Sequence, residues 1–238
     1  MSLKTVLFDL DDTLYDHQYG SRAALEAIYA CYPWFQTIAL DELERQHSQL
    51  LEHYHAKLLR GEITLDEVRF ARFRDLSARY EGSIEPSDVH SLVRLYRETY
   101  LRSERLVSGA AALLDRLRTE GLKIGLVTNN TVAEQMGKLE RCGLASRFDV
   151  LAISEAEGVP KPDPRIFAAA LQLLGCASDE AVMVGDSWSA DIEGARAAGI
   201  RAIWLNRYGR ACPDRKLAFE IPALEPLETV VYSIKYSL

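Results

Sequence analysis

The chain of 238 residues has no run of about 18 apolar residues, so none of it reads as a membrane-spanning helix. Asp9 interrupts the N-terminal apolar residues almost at once, which does not fit a secretory leader. A basic excess is also missing. Lys and Arg number 28 against 35 Asp and Glu, a net charge of −7, which argues against a nucleic acid polymer or an anionic membrane as the main partner. The four cysteines (Cys31, Cys142, Cys176 and Cys212) have no C-x-x-C spacing, so they read as reduced, mostly buried thiols rather than a disulfide or zinc framework. Low-complexity tracts and internal repeats are absent as well. The expectation is a soluble, cytoplasmic monomer or homodimer. A small anionic partner stays open, because lysines and a metal ion can reverse the sign of the field inside a cleft.

What is present is an alternation of short apolar runs with helical patterns. Val6–Phe8, Lys123–Val127, Asp149–Ile153, Ala181–Val184 and Ile200–Leu205 read as strands. Helices are expected near Val132–Cys142, Asp163–Leu174 and Ala190–Ala198. Strands and helices alternating at this length imply an α/β fold with a parallel sheet covered by helices on both faces. Between Tyr15 and Arg102 no strand is convincing. Leu43, His47, Leu50, Leu51, Tyr54 and Leu58 recur at helical spacing, and Gly61 ends that helix. Thr64 with Glu67 forms a capping box for the next helix, and a further one runs from Ser87 to about Tyr100. The expected organisation is a Rossmann-like core over 1–15 and 103–238, with an all-helical insert over 16–102 directly after the first strand.

The polar residues collect at the ends of the strands. The first strand runs into Asp9, Asp11 and Asp12, and two unit charges ~5 Å apart repel by about 3 kcal/mol at an effective dielectric near 20. Such a cluster needs protons, a cation or full solvation. The second strand ends in Thr128-Asn129-Asn130. Lys161 lies in the loop after the third, and the fourth ends in Gly185-Asp186 with Asp191 close behind. In open parallel sheets ligands bind outside the carboxyl ends of the strands, so these groups converge. Carboxylates, a hydroxyl, an amide and an ammonium together have the chemistry of a metal-plus-phosphate site.

Several neighbours read more plainly. Asp12 is a turn residue, Thr13 braces the loop, and Asp163-Pro164 starts a helix. Asp191 alone could be a helix N-cap, and Trp188 within the fourth motif reads as packing. His53 and His55 fall on different helix faces and make a poor metal pair. His17 could reach a substrate or simply face solvent.

In order along the chain stand D-x-D-x-T (Asp9, Asp11, Thr13), a strand-end Thr (Thr128), a Lys (Lys161) and G-D-x-x-x-x-D (Asp186, Asp191). This pattern resembles the haloacid dehalogenase-like hydrolase superfamily, in the subfamily with a helical cap after the first motif, over roughly residues 3–15 and 105–205. The resemblance implies a Mg²⁺-dependent phosphatase of small phosphate monoesters. Asp9 would be the nucleophile that becomes an aspartyl phosphate, and Asp11 the general acid and base. Mg²⁺ would be held by Asp9, the Asp11 carbonyl and Asp186, with Asp191 completing the shell. Thr128, the Asn129 backbone N–H and Lys161 would hold the phosphoryl oxygens. The interval from Thr13 to Thr128 has room for a helical cap, and that from Thr128 to Lys161 is too short for a second. The stretches "RGEITLDEVRFARF", "VTNNTVAEQMGKLERCGL" and "ISEAEGVPKPDPRIF" are similar to pyrimidine 5′-nucleotidases, although a Gly is commoner where this chain has Asn130.

Rival readings are a phosphoglycolate or sugar phosphatase, a phosphomutase, and a dehalogenase of the same fold, which would replace Asp11. A phospho-accepting receiver domain is a fourth, but it would be about half this length and lack the insert. Substrate choice would fall to the cap, with Arg60, Gly61, Glu62, Ile63 and Arg72 as candidates; for Arg72, as for Arg69, surface salt-bridging is the plainer alternative.

Overall fold

The computed structural model describes residues 3–80 and 84–236; the outer limits of the expected core, 1–2 and 237–238, fall outside them. In chain order the elements begin with β1 (Thr5–Phe8), α1 (His17–Cys31), α2 (Leu40–Leu59), α3 (Leu65–Ser77), α4 (Pro86–Arg102), α5 (Ala110–Thr119) and β2 (Lys123–Thr128). They continue with α6 (Val132–Arg141), β3 (Val150–Ile153), α7 (Ser154–Glu157), α8 (Pro164–Leu174) and β4 (Ala181–Gly185). A π-helical turn (Trp188–Glu193) runs into α9 (Gly194–Ala197), followed by β5 (Arg201–Leu205), β6 (Phe219–Ile221) and α10 (Leu227–Tyr236). The contacts divide the chain into two compact units, 1–16 with 106–238 and 17–105.

The first unit is an α/β layer structure around one parallel sheet in the order β3-β2-β1-β4-β5-β6. All four residues of β1 are buried, as a strand covered on both faces requires. Leu7 packs with Val127, Phe167, Leu174 and Met183 in one continuous core, and each such fully buried side chain stabilises by about 1.5–3 kcal/mol. The helices start and stop where local chemistry directs. Asp163 caps α8 by accepting from the Arg165 N–H, Pro164 opens it, and Gly175 closes it in the left-handed region at φ 62°.

The second unit is all helical. Thr64 and Glu67 form the capping box of α3, and Gly61 leaves α2 at φ 71°. Along α2, Leu43, His47, Leu50 and Tyr54 are buried, whereas Leu51 and Leu58 are half-buried at the edge of the stripe. Gly20 of α1 lets α4 approach closely, because a Cβ there would lie 3.2 Å from the Tyr100 ring. No helix among the described residues is long and apolar enough to cross a membrane.

Three details differ from the sequence reading. A sixth strand, β6, joins the sheet edge with only three residues, two of them exposed, and so offers no apolar run to read. The helix expected over Ala190–Ala198 opens instead as the π turn at Trp188, because Ser187 accepts from both Asp191 and Ile192 N–H groups and its hydroxyl caps Ala190. The cysteines are free as expected but none is fully buried: Cys31 is exposed and the other three are intermediate.

Gly125 in the middle of β2 has no room for a side chain, since a Cβ would sit 2.6 Å from Leu7 Cδ2 and 3.0 Å from Leu174 Cδ1. Gly125→Val should therefore destabilise the protein by about 1–3 kcal/mol through overpacking, read as a lower urea midpoint. An unchanged midpoint would show that this core is looser than described.

Candidate active site

Strand order reverses at β1, which has β2 on one side and β4 on the other, so the crevice for a ligand opens at their carboxyl ends. Asp9 is the first residue past β1, Thr128 the last of β2, and Asp186 the first past β4. The loop after β1 folds back tightly: the Leu10 carbonyl accepts the N–H groups of Thr13, Leu14 and Tyr15. Asp12 sits there at φ 62°, a conformation that Asp tolerates better than most residues. Arg207, just past β5, clamps this loop by donating to the Asp12 carbonyl (3.2 Å) and the Asp16 carboxylate (2.9 Å).

At the centre, the buried Lys161 ammonium donates to Asp9 Oδ1 at 2.7 Å and to Asp191 Oδ1 at 2.6 Å. Asp191, fully buried, also accepts from the Ser187 N–H at 2.9 Å. It fits because Gly185 lacks a side chain: a Cβ there would lie 2.3 Å from Asp191 Oδ2, which is the physical reason for glycine in G-D-x-x-x-x-D. Thr13 donates to Asp9 Oδ2 (3.1 Å) and accepts from the Asp186 N–H (3.1 Å), so it braces both strand ends. The Asn129 side chain holds the backbone of Lys161 at both polar groups, accepting from its N–H at 2.8 Å and donating to its carbonyl at 2.9 Å.

The Asp11 side chain is not among these acids. It turns to α6, where it accepts from Lys138 Nζ at 2.5 Å and Gln135 Nε2 at 3.0 Å. The same Gln135 Nε2 donates to Thr128 Oγ1 at 2.6 Å, so the Thr128 hydroxyl keeps its hydrogen to offer to a ligand.

Asp9, Asp186 and Asp191 each present a carboxylate oxygen within 4.8 Å of the others. Burial pushes Asp9 up to about 7; Lys161 pulls it back while Asp191 and Asp11 repel. Burial, then Asp9, Asp191 and Asp12, pushes Asp186 up to about 9. For Lys161 burial opposes the charge, but Asp191 and Asp9 outweigh it and raise the ammonium above its ordinary value. Three carboxylates, all hard oxygen donors, against a single ammonium fit a divalent cation such as Mg²⁺.

Of the other candidates, Arg60 and Glu62 pair with each other at the exposed end of α2, beside exposed Gly61 and half-buried Ile63. Arg69 holds Asp66 (3.0 Å), whereas Arg72 is buried, so surface salt-bridging is the wrong reading for Arg72. His17 is hydrogen-bonded through Nδ1 to the Tyr100 hydroxyl at 2.7 Å. Trp188 packs edge-on against Trp204, whose indole N–H donates to the Asp186 carbonyl at 2.9 Å. Gln135, Lys138, Ser187, Trp204 and Arg207 were not singled out by the sequence. Lys138 and Gln135 lie three apart just after the strand-end Thr, the one signal that could have placed them on the site face.

The family model of the haloacid dehalogenase-like hydrolases matches residues 3–199. The chain is 35% identical over 207 residues to the ribulose-1,5-bisphosphate 5-phosphatase of Halopiger xanaduensis, covering 83% of this chain and 82% of that one. It is 31% identical over 215 residues to the pyrimidine 5′-nucleotidase YjjG of Escherichia coli, covering 88% of each. The structure of the HAD-hydrolase YfnB from Bacillus subtilis bound to magnesium superposes with a TM-score of 0.75 at 27% identity, over 97% of this chain and 99% of that one. By its motifs, its sheet and these similarities, the chain belongs to the haloacid dehalogenase-like hydrolases.

Proposed function

We propose that the chain is a phosphatase of small phosphate monoesters that works through an aspartyl phosphate on Asp9. The observation that carries this reading is the convergence of Asp9, Thr128, Asp186 and Asp191, from the ends of β1, β2 and β4, with Lys161 from the loop beyond β3. In the first displacement an Asp9 oxygen bonds to phosphorus, the ester P–O bond breaks, and the leaving oxygen takes a proton from Asp11, which must first let go of Lys138 and Gln135 and enter the site protonated. In the second, water attacks phosphorus and gives its proton to Asp11, the Asp9–phosphorus bond breaks, and inorganic phosphate leaves. Lys161 and the Thr128 hydroxyl offset charge on the transferring oxygens, and Asn129 keeps Lys161 in place.

Mg²⁺, held by Asp9 and Asp186 with Asp191 behind them, would supply further neutralisation of the phosphoryl charge. Asp11 is what separates this reading from a dehalogenase, which needs no proton donor for a leaving phosphate ester. The helical unit 17–105 serves as the cap that selects the leaving group. Similarity leaves that group open: the two relatives above are named for a sugar bisphosphate and for pyrimidine nucleotides, at 35% and 31% identity. A pyrimidine nucleotide is thus one member of the substrate class, and the helical unit has to decide among them.

Asp9→Asn should abolish turnover of every phosphate ester. Asp11→Asn should lower kcat by about 10²–10⁴ for alkyl esters and much less for an aryl phosphate, whose leaving group needs no proton. Steady-state rates with both ester types check this; near-normal turnover by Asp9→Asn would contradict the mechanism.

A second expectation concerns pH and metal. Asp9 and Asp186 bind protons more tightly when folded than unfolded, so the stability they contribute is full below pH ~4. That stability is lost as pH rises through about 7 and about 9. Mg²⁺ binds the ionised forms, so its stabilising shift in Tm should be larger at pH 8.5 than at pH 5.5. At a hundredfold excess over Kd the stabilisation should reach about 2.7 kcal/mol. Thermal melts with and without Mg²⁺ measure it, and an equal or larger shift at pH 5.5 would contradict the metal assignment.

A further inference from the structure

The general acid and base is tied down outside the acid cluster that it serves, by contacts that lie wholly within the α/β unit. Asp11 Oδ1 accepts from Lys138 Nζ at 2.5 Å and Oδ2 from Gln135 Nε2 at 3.0 Å, so each carboxylate oxygen has its own donor on α6. Asp9, Asp186 and Asp191 gather without it. The backbone on both sides of Asp11 is pinned: the Leu10 carbonyl accepts from Thr13, Leu14 and Tyr15, and the Asp12 N–H donates to the Tyr15 carbonyl at 2.7 Å. That leaves the side chain as the part of Asp11 that can change place.

The donors are not what a helix packed for cover alone would bring. The buried residues of α6 are Gln135, Lys138 and Leu139, and of these only Leu139 is apolar. Lys138 is 4% exposed, and its Nζ lies 5.2 Å from the Tyr15 ring centroid. Gln135 is fully buried, and its Nε2 divides its hydrogens between Asp11 and Thr128 Oγ1, the latter at 2.6 Å. Gln135 Oε1 is buried without a hydrogen-bond partner. Turning the amide over would set that oxygen against an ionised carboxylate, which only accepts, so Asp11 fixes the orientation and the unpartnered oxygen is its cost. Apolar side chains would cover the sheet here without desolvating an ammonium and an amide.

The arrangement has an electrostatic reason. Asp9, Asp186 and Asp191 already set their carboxylates against the one ammonium of Lys161, and Asp11 would add a further negative charge. Lys138 gives it a cation of its own, away from them. We propose that Lys138 and Gln135 form a holding position for the Asp11 side chain, so that every step in which Asp11 moves a proton includes the cost of releasing it. Both are positioning residues, since they act through Asp11. This rests on the phosphatase reading above and deepens it: how steeply the rate depends on the leaving group is set in part on α6.

The test compares kcat/KM, which reports the first displacement, for phenyl phosphate and 4-nitrophenyl phosphate. The two esters have nearly the same shape, but phenoxide needs a proton from Asp11 far more than nitrophenoxide does. With its ammonium removed, Asp11 should serve the poorer leaving group better, so the phenyl-to-nitrophenyl ratio should rise roughly threefold or more in Lys138→Met. Lys138→Arg, which keeps a cation for the carboxylate, should stay near the wild-type ratio. Added to Asp11→Asn, Lys138→Met should leave the ratio unmoved, which a merely structural role of Lys138 does not predict. Thermal melts show which variants fold; should Lys138→Met not fold, Gln135→Met decides by the same rise, because its effect on Thr128 falls on both esters and cancels in the ratio. A ratio that falls or stays level in the folded variant, an equal rise in Lys138→Arg, or a rise that persists with Asp11→Asn would overturn the holding role and leave the phosphatase reading standing. If the wild type turns over neither ester, the phosphatase reading itself fails and the holding role falls with it.

Discussion

Everything at the strand ends depends on one buried ammonium. Lys161 lies between Asp9 and Asp191, and both ion pairs are shielded from water. Two buried carboxylates this close would expel each other or take up protons without it, and removing one partner of such a pair costs about 3–5 kcal/mol. The single contact point ties the loop after β1 to the loop after β3 and to the turn after β4. Asn129 at the end of β2 then fixes the Lys161 backbone, so four strand ends are registered by one residue. Gly185 and Ser187 complete this arrangement, the first by leaving space for Asp191 and the second by donating to it.

The same geometry makes the site electrostatically incomplete. Lys161 offsets part of the negative charge, while Asp186 adds a carboxylate that accepts no hydrogen bond from a described residue. Burial first, and then that excess, raises the proton affinities of Asp9 and Asp186, and a divalent cation is the chemical species that would offset it.

How far this was legible in the sequence follows from how local each signal is. The strands of the α/β sheet stand out because fully buried parallel strands are unbroken apolar runs, and three of the four motifs stand out because each closes one of those runs, with Lys161 in the loop beyond another. The capping box of Thr64 and Glu67 is equally local. What escaped depends on tertiary contact. Lys138 reads as an exposed residue of an amphipathic helix, yet it is buried against Asp11 and Tyr15. Arg207 lies far along the chain from the loop it clamps, and β6 is too short to carry a period. Arg72 follows the same spacing as the solvated arginines around it, and only the packing of Phe73, Tyr96 and His47 shows that it differs.

The central claim is that Asp9 carries the phosphoryl group during turnover. Acid quench of the enzyme in steady-state turnover of an aryl phosphate, followed by borohydride reduction and peptide mass spectrometry, reads it directly. An acyl phosphate on Asp9 would be reduced to homoserine at position 9, most abundantly in Asp11→Asn, where the second displacement stalls. Turnover that continues with an unmodified aspartate at position 9 in both proteins would contradict the account.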